Sequence, residues 1–272
     1  MSAFAYPQLD SALWRSVNKA PAIDAIVAFG AEDGYLAALD SHAGPVRVDL
    51  RLGTISTSRD SALRAVASFD GAAIYALTPA GEITRYTPSG GDWKFAPPLP
   101  ASALFSQADG GLIAAGASGS KVIVWRIRPP SLEIVDTLTL SVGGTAAENA
   151  RMIAATAGSV GDRVYFGAHE SVIAVQTRDM QPALNIDLGD PIVSITATPS
   201  GDRLFVALDD DRSVRIVDRF EERVSGKVKL PSMPRQLRMD PLGRVLLARG
   251  AGDSVFVVSL ADDELLGAVR SA

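Results

Sequence analysis

A pattern of strand, tight turn and strand, roughly forty residues long, recurs six times along this chain of 272 residues. It is clearest where Arg203 to Leu208 alternates, Ser213 to Asp218 alternates again, and Gly226 to Pro231 closes the unit. An all-strand unit of that length cannot bury its own apolar face and must stack on its neighbours, and radial rings of four-stranded sheets do this at a period of about 40 to 50 residues. The chain is therefore expected to be all-β, a β-propeller of six four-stranded blades, or of seven if one is missing or supplied elsewhere.

The phase of the repeat is set by the last strand of each unit, which alternates and then stops, mostly at Leu-Gly or Leu-Pro. These endings fall at Gly53, Pro100, Ser141, Gly189 and Pro231, with the final strand over Leu265 to Val269. The units so delimited cover approximately 12–53, 62–100, 103–141, 152–189, 191–231 and 234–272. In the fifth, Ile192 to Ala197 is an apolar first strand, Pro199-Ser200-Gly201-Asp202 is a tight turn, and Leu204 to Leu208 is the second strand. The sixth repeats this with Gln236 to Met239, Asp240-Pro241-Leu242-Gly243 and Val245 to Ala248. The first unit differs, because Asp33-Gly34 joins Ile23–Gly30 to Tyr35–Asp40, with Val46–Leu52 next. That order makes Leu13 to Val17 its innermost strand. Two stretches interrupt the rhythm: Thr54 to Ser61, polar, and Ser141 to Asn149, rich in Gly and Ala.

No linker rich in Pro, Gly and Ser divides the chain, so a single domain over 1–272 is expected. Hydrophobic residues make up 47% but aromatics only 6%, which predicts a core of thin aliphatic layers. A net charge of -5 with scattered basic residues gives no footprint for nucleic acid. The absence of cysteine removes disulfides, thiol nucleophiles and thiolate metal sites. The N-terminus lacks the basic start and apolar stretch of a secretory signal, so the expectation is a cytoplasmic chain or one whose signal has been removed. With no run of 18 or more apolar residues, no membrane span is expected.

Thr198 to Asp209 followed by Ser213 to Asp218 resembles the units of Tyr-Val-Thr-Asn repeat propellers, which read Pro-Asp-Gly, a Leu-Tyr-Val strand and Val-x-Val-Ile-Asp. Glu32 to Ser41 is similar to the quinoprotein-type repeat. Asp109 to Gly116 with Val122 to Trp125 resembles a WD-repeat lacking its Gly-His and Trp-Asp dipeptides. These blade-level resemblances imply the propeller architecture over most of residues 12 to 272. Because the three families share that architecture while differing in activity, the resemblance implies no one function.

Chemistry at the inner strands is sparse. The two histidines, His42 and His169, lie in different units beside turn residues and read as loop imidazoles, not zinc ligands. Asp209-Asp210-Asp211 lacks the alternating spacing that turns carboxylates toward one calcium ion and reads as a solvated turn, as does Asp262-Asp263-Glu264. No phosphate loop, nucleophile elbow or His-Glu-x-x-His helix is present. Neither catalytic residues nor a metal or cofactor site are assigned. Arg15, Arg64, Arg235 and Arg238 sit in or beside inner strands without partner carboxylates, and would line a positive channel mouth attracting an acidic peptide or anion. Trp14, Trp93 and Trp125 are expected to pack between blades. Trp14, on an inner strand, is the candidate interaction anchor.

The leading expectation is a non-catalytic scaffold that binds a protein partner or partner domain through one rim. The alternative is an extracytoplasmic lactonase-like or quinoprotein-like enzyme with a ligand or metal in its channel. A third is that the chain is one domain of a longer protein, with an unpaired blade edge at one terminus. With the innermost strand of the first unit coming first and the outermost of the sixth last, ring closure is not evident unless Phe4 to Leu9 supplies it, and Pro7 limits that segment to an edge strand.

Overall fold

The computed structural model describes residues 25–30, 35–40, 44–49, 54–57, 62–68, 73–87, 93–129, 131–142, 152–157, 161–240, 242–250 and 254–270. These form six four-stranded antiparallel sheets in which every strand pairs with the next in sequence, and no helix occurs among them. Two compact units are distinguished, Met1–Gly111 and Leu112–Ala272.

In the first unit one sheet consists of β1 (Ala25–Gly30), β2 (Tyr35–Asp40), β3 (Gly44–Asp49) and β4 (Thr54–Thr57), and another of β5 (Arg64–Ala67), β6 (Ile74–Leu77), β7 (Ile83–Tyr86) and β8 (Trp93–Phe95). The third sheet takes β9 (Ala103–Ser106), β10 (Leu112–Ser118), β11 (Lys121–Arg128) and β12 (Glu133–Ser141). The second unit, to which β10, β11 and β12 belong, continues with the fourth sheet, β13 (Met152–Ala157), β14 (Arg163–Ala168), β15 (Ser171–Gln176) and β16 (Gln181–Asp187). The fifth comprises β17 (Ile192–Ala197), β18 (Arg203–Leu208), β19 (Ser213–Asp218) and β20 (Arg223–Lys229). The sixth comprises β21 (Pro234–Met239), β22 (Val245–Gly250), β23 (Ser254–Ser259) and β24 (Leu265–Arg270).

The strand order of the first sheet corrects the expectation for that unit. Ala25–Gly30 is its first strand, not its second, and the fourth is supplied by Thr54–Thr57 from the stretch expected to be a polar insertion. Thr54, Ile55 and Thr57 are β-branched and pair with Asp49, Val48 and Val46, so their local preference agrees with a ladder despite the polarity. Leu13 to Val17, Phe4 to Leu9 and Gly143 to Asn149 lie outside the described residues.

Burial follows position within the sheet. The second strands of the fourth and fifth sheets are apolar on both faces and covered over Val164 to Ala168 and Leu204 to Leu208, whereas β22 of the sixth sheet alternates, with Leu246 and Ala248 buried and Leu247 and Arg249 exposed. The fourth strands face solvent, and on β20 only Val228 is buried. One core layer joins the fourth and fifth sheets through Tyr165, Val172 and Ala174 against Ile195, Leu204 and Val206. The next joins the fifth and sixth through Phe205, Val214 and Ile216 against Leu246, Ala248 and Phe256. Burying one such side chain contributes about 1.5 to 3 kcal/mol.

The first strands carry a repeated irregularity. Register slips between Met152 and Ala154, between Ile192 and Ser194, and between Pro234 and Gln236, so Ile153, Val193 and Arg235 occupy the same bulged slot. An aliphatic residue in two sheets is thus replaced by arginine in the sixth.

Candidate functional site

In an antiparallel meander the turn between first and second strands and the turn between third and fourth strands emerge at the same edge. In the second unit this edge is held by residues that bond from one sheet to the next. Arg126 on β11 donates through Nη1 to the Arg178 carbonyl at 3.0 Å, joining the third sheet to the fourth. Arg219, just after β19, donates through Nη2 to Asp162 Oδ2, joining the fifth to the fourth. Arg203 on β18 donates to Asp263 Oδ1 at 2.9 Å and to the Leu260 carbonyl at 2.9 Å, joining the fifth to the sixth.

The turns themselves are internally fixed. Thr198 Oγ1 donates to Asp202 Oδ1 at 2.6 Å, and Gly201 N–H donates to the Thr198 carbonyl at 2.9 Å, with Gly201 at φ +72 as this tight turn requires. Burial acts to raise the Asp202 carboxyl, but hydroxyl donors from Ser200 and Thr198, its own backbone and the Arg203 charge outweigh it and hold the carboxyl below its ordinary value. Asp240 is held low chiefly by the Arg244 backbone N–H. Asp218 Oδ1 accepts from the N–H groups of Phe220 and Glu221, both at 2.8 Å.

Two large apolar side chains stand on these turns. Phe220 is 74% exposed and Leu242 71%. They belong to one row of contacts: Phe220 lies beside the Arg219 guanidinium at 5.5 Å, and Arg219 Nη1 donates to the Gly201 carbonyl at 3.1 Å. The Gly201 turn carries Pro199, whose ring leaves no free room for a Cβ at Gly243, next to Leu242. Among the described residues, the other exposed large hydrophobics of this unit lie on strands, not turns.

The residues expected to form a site are not brought to this row. Trp14, Arg15 and His42 lie outside the described residues. Arg64 on β5 rests its guanidinium 4.4 Å from the Phe105 ring centroid. Arg235 and Arg238 are both exposed on β21, Arg235 at the opposite edge and Arg238 one residue before the end of the strand. The expectation that Arg235 lacks a carboxylate partner is corrected, since its Nη1 lies 2.9 Å from Asp209 Oδ1. The bulge at Pro234–Gln236 turns this residue toward the loop that follows β18.

The aspartate runs are used within the fold. Asp209 pairs with Arg235, and Asp211 Oδ2 accepts from Ser213 Oγ at 2.8 Å and Arg215 Nε at 3.1 Å, so their oxygens already hold donors. Asp263 pairs with Arg203. His169 stands in a left-handed turn at φ 53 with Nδ1 3.3 Å from Glu170 Oε1. Among the described residues no grouping of three or more His, Asp or Glu has the arrangement of a metal site, and no helix is long and apolar enough to cross a membrane.

Trp125 is fully buried, in agreement with its expected place in the core. Trp93 corrects the same expectation, for it is 57% exposed. It opens β8, a three-residue outermost strand, where one side of the sheet ends in solvent.

The likeness to solved structures is now decisive for the fold. The β-propeller domain of Cps50 (Swd1) from Myceliophteria thermophila superposes with a TM-score of 0.66, over 91% of this chain and 86% of that one, at 13% sequence identity. The fold is a β-propeller. No family model and no curated protein matches the sequence.

Phe220 was missed from sequence because turn reading attends to Gly, Pro and Asp. A large aromatic inside Asp218-Arg219-Phe220-Glu221-Glu222, a turn otherwise made of charged residues, was the available signal. On this propeller the hydroxyls of the row, Thr198 and Ser200, are both taken up by the Asp202 carboxylate. What it offers chemically is contact area on a fixed support.

Proposed function

We propose that the protein is a non-catalytic β-propeller that serves as a protein–protein interaction or assembly module. The observation that carries this reading is the pair Phe220 and Leu242, 74% and 71% exposed on two turns of one edge that the Gly201 turn links. Exposing two such side chains on a rigid rim forgoes the stabilisation of burying them, and aromatic and aliphatic knobs on a fixed support are what interface centres use as anchors. The turns beneath them are fixed by the Arg219–Asp162 and Arg203–Asp263 bonds, so little ordering is left to be lost on association.

Site-specific photo-crosslinking in cells tests this. A benzophenone side chain at position 220 and, separately, at position 242 is expected to trap the same protein, while one at Lys227 on the outer strand is expected not to. Different products at 220 and 242, no product at either, or a stoichiometric metal or organic cofactor in the purified protein would reject the reading.

A further inference from the structure

The charge around the Phe220–Leu242 row identifies the chemistry of what docks there, on the proposal above that the row is an interaction surface. Most ionised groups of this edge are already committed: Asp162 to Arg219, Asp263 to Arg203, Glu221 to Arg223 and Asp240 to Arg244. Asp202 is held by Ser200 and Thr198, and Asp218 by two backbone N–H groups.

Glu222, Asp262 and Glu264 are left over. All three are exposed, and none of their carboxylates has an ion-pair or hydrogen-bond partner among the described residues. Glu222 closes the Phe220 turn, and Asp262 and Glu264 flank the Asp263 carboxylate that Arg203 ties to the fifth sheet. Of the cations at these turns, Arg203, Arg219, Arg223 and Arg244 each already face a carboxylate, and only Arg238, exposed one residue before the end of β21, has no ion-pair partner among the described residues, so three unpaired carboxylates stand against one unpaired cation. Two apolar knobs are thus bordered by uncompensated negative charge. A solvated acidic border attracts and orients a positively charged partner and repels an acidic one, while the apolar knobs supply the contact area.

We infer that this edge binds a basic segment of a partner protein, one that carries Lys or Arg around an apolar residue. Acidic partners and uncharged apolar segments are disfavoured by the same border.

The test uses the full chain and three synthetic peptides of equal length around a shared Leu-Phe centre, one flanked by Lys and Arg, one by Glu and one by Ser, with affinity read by fluorescence anisotropy. The basic peptide is expected to bind, the Ser peptide to bind about tenfold more weakly and the Glu peptide not to bind. Two variants place the contact. Phe220→Ser is expected to weaken the basic peptide about tenfold, and the triple reversal Glu222→Lys, Asp262→Lys, Glu264→Lys to weaken it by a similar factor and to admit the Glu peptide. Because these positions are exposed, unchanged urea midpoints are expected for both, which separates lost docking from lost folding.

Equal affinity for basic and acidic peptides, or a triple reversal that leaves the basic peptide unaffected, would overturn the inference. If no peptide binds while crosslinking still traps one protein at 220 and 242, the basic class is wrong and the interaction reading stands. If both fail, both fall.

Discussion

Arg219 and Asp162 meet across the seam between the fourth and fifth sheets, with Arg219 Nη2 donating to Asp162 Oδ2. The arginine side chain is only 11% exposed, whereas the aspartate is 39%. Arg219 also donates to the Gly201 carbonyl, so one side chain ties a turn of the fourth sheet to two turns of the fifth. Arg126 and Arg203 do the same at the seams on either side, which makes this edge a run of cross-sheet fastenings.

Removing one member of the Arg219–Asp162 pair is expected to cost more than removing both. Arg219→Met leaves the Asp162 carboxylate partly buried without its cation, a loss of about 2 to 3 kcal/mol after allowance for the aspartate's exposure. Arg219 Nε and Asp162 Oδ1 are buried without partners, so part of the desolvation cost is never recovered in the native pair. A double variant with Asp162→Leu as well should therefore lie closer to the parent protein, with a coupling of about 1 to 2 kcal/mol. Urea unfolding of the four proteins of the cycle measures this, and additive losses would show that the pair is not coupled.

The two described tryptophans should respond oppositely to truncation. Trp125→Ala opens a cavity beneath β11 and is expected to cost about 3 to 5 kcal/mol. Trp93→Ala, at an outermost strand in solvent, is expected to stay within about 0.5 kcal/mol of the parent. The same contrast predicts that acrylamide quenches the fluorescence of a Trp125→Phe protein far more than that of a Trp93→Phe protein.

How far the sequence could be read follows from which contacts are local. The turn at Pro199-Ser200-Gly201-Asp202 was legible because Gly201 supplies the positive φ and the flanking strands pair with each other directly. The first sheet was read one strand out of phase, because Thr54–Thr57 is short and polar and the alternation that marks an outer strand elsewhere is missing there. The Arg235–Asp209 pair escaped for another reason: it depends on a bulge that turns one residue out of the ladder, and bulges leave no periodic trace. The seam arginines are further still from local pattern, since Arg219 and Asp162 stand 57 residues apart. The exposed row at Phe220 and Leu242 inherits that difficulty, for it exists only once those seams hold the turns side by side.

Two glycines with nearly the same backbone should tolerate alanine very differently. Gly81 has φ +80 and Gly110 has φ +82, so each substitution incurs the left-handed penalty of about 1 kcal/mol. At Gly110 a Cβ meets open space, whereas at Gly81 it would stand 2.5 Å from Pro100 Cα and 2.7 Å from the Ala101 amide. That amide donates to the Gly81 carbonyl at 3.0 Å, so the backbone cannot withdraw without breaking the bond. Gly81→Ala is expected to cost about 3 kcal/mol or more and Gly110→Ala about 1 kcal/mol, read as urea midpoints. Equal losses would contradict the close approach at Pro100.

Tyr165 is a fully buried tyrosine whose hydroxyl has no hydrogen bond of ordinary geometry. Burial pushes its pKa above the usual value, more than the nearby Arg219 and Arg163 charges bring it down. An acid held protonated by the fold loses stability as pH rises through its unfolded value, near 10. Tyr165→Phe is expected to be neutral or stabilising by up to about 1 kcal/mol at pH 7, and to reduce the loss of stability above about pH 10. A clearly destabilised variant would mean that the hydroxyl has a partner.

Asp202 should govern part of the acid limb. Its carboxyl is held below the ordinary aspartate value, burial being outweighed by the Ser200 and Thr198 hydroxyls, its backbone and Arg203. A carboxyl whose folded pKa is lowered contributes stability that is fully present above its unfolded value, near 3.9, and is lost as pH falls through the folded one. Asp202→Asn removes that contribution while keeping an acceptor for one hydroxyl. The parent protein is therefore expected to be the more stable at pH 7, with the difference constant down to about pH 4 and shrinking below it. Because Arg203 also reaches Asp263 and the Leu260 carbonyl, the seam to the sixth sheet stays fastened in the variant and the change reports the turn alone. Urea midpoints of the two proteins from pH 7 to pH 3 decide the matter: a difference that grows toward low pH would reverse the assigned sign, and one already vanishing at pH 6 would assign it to another group.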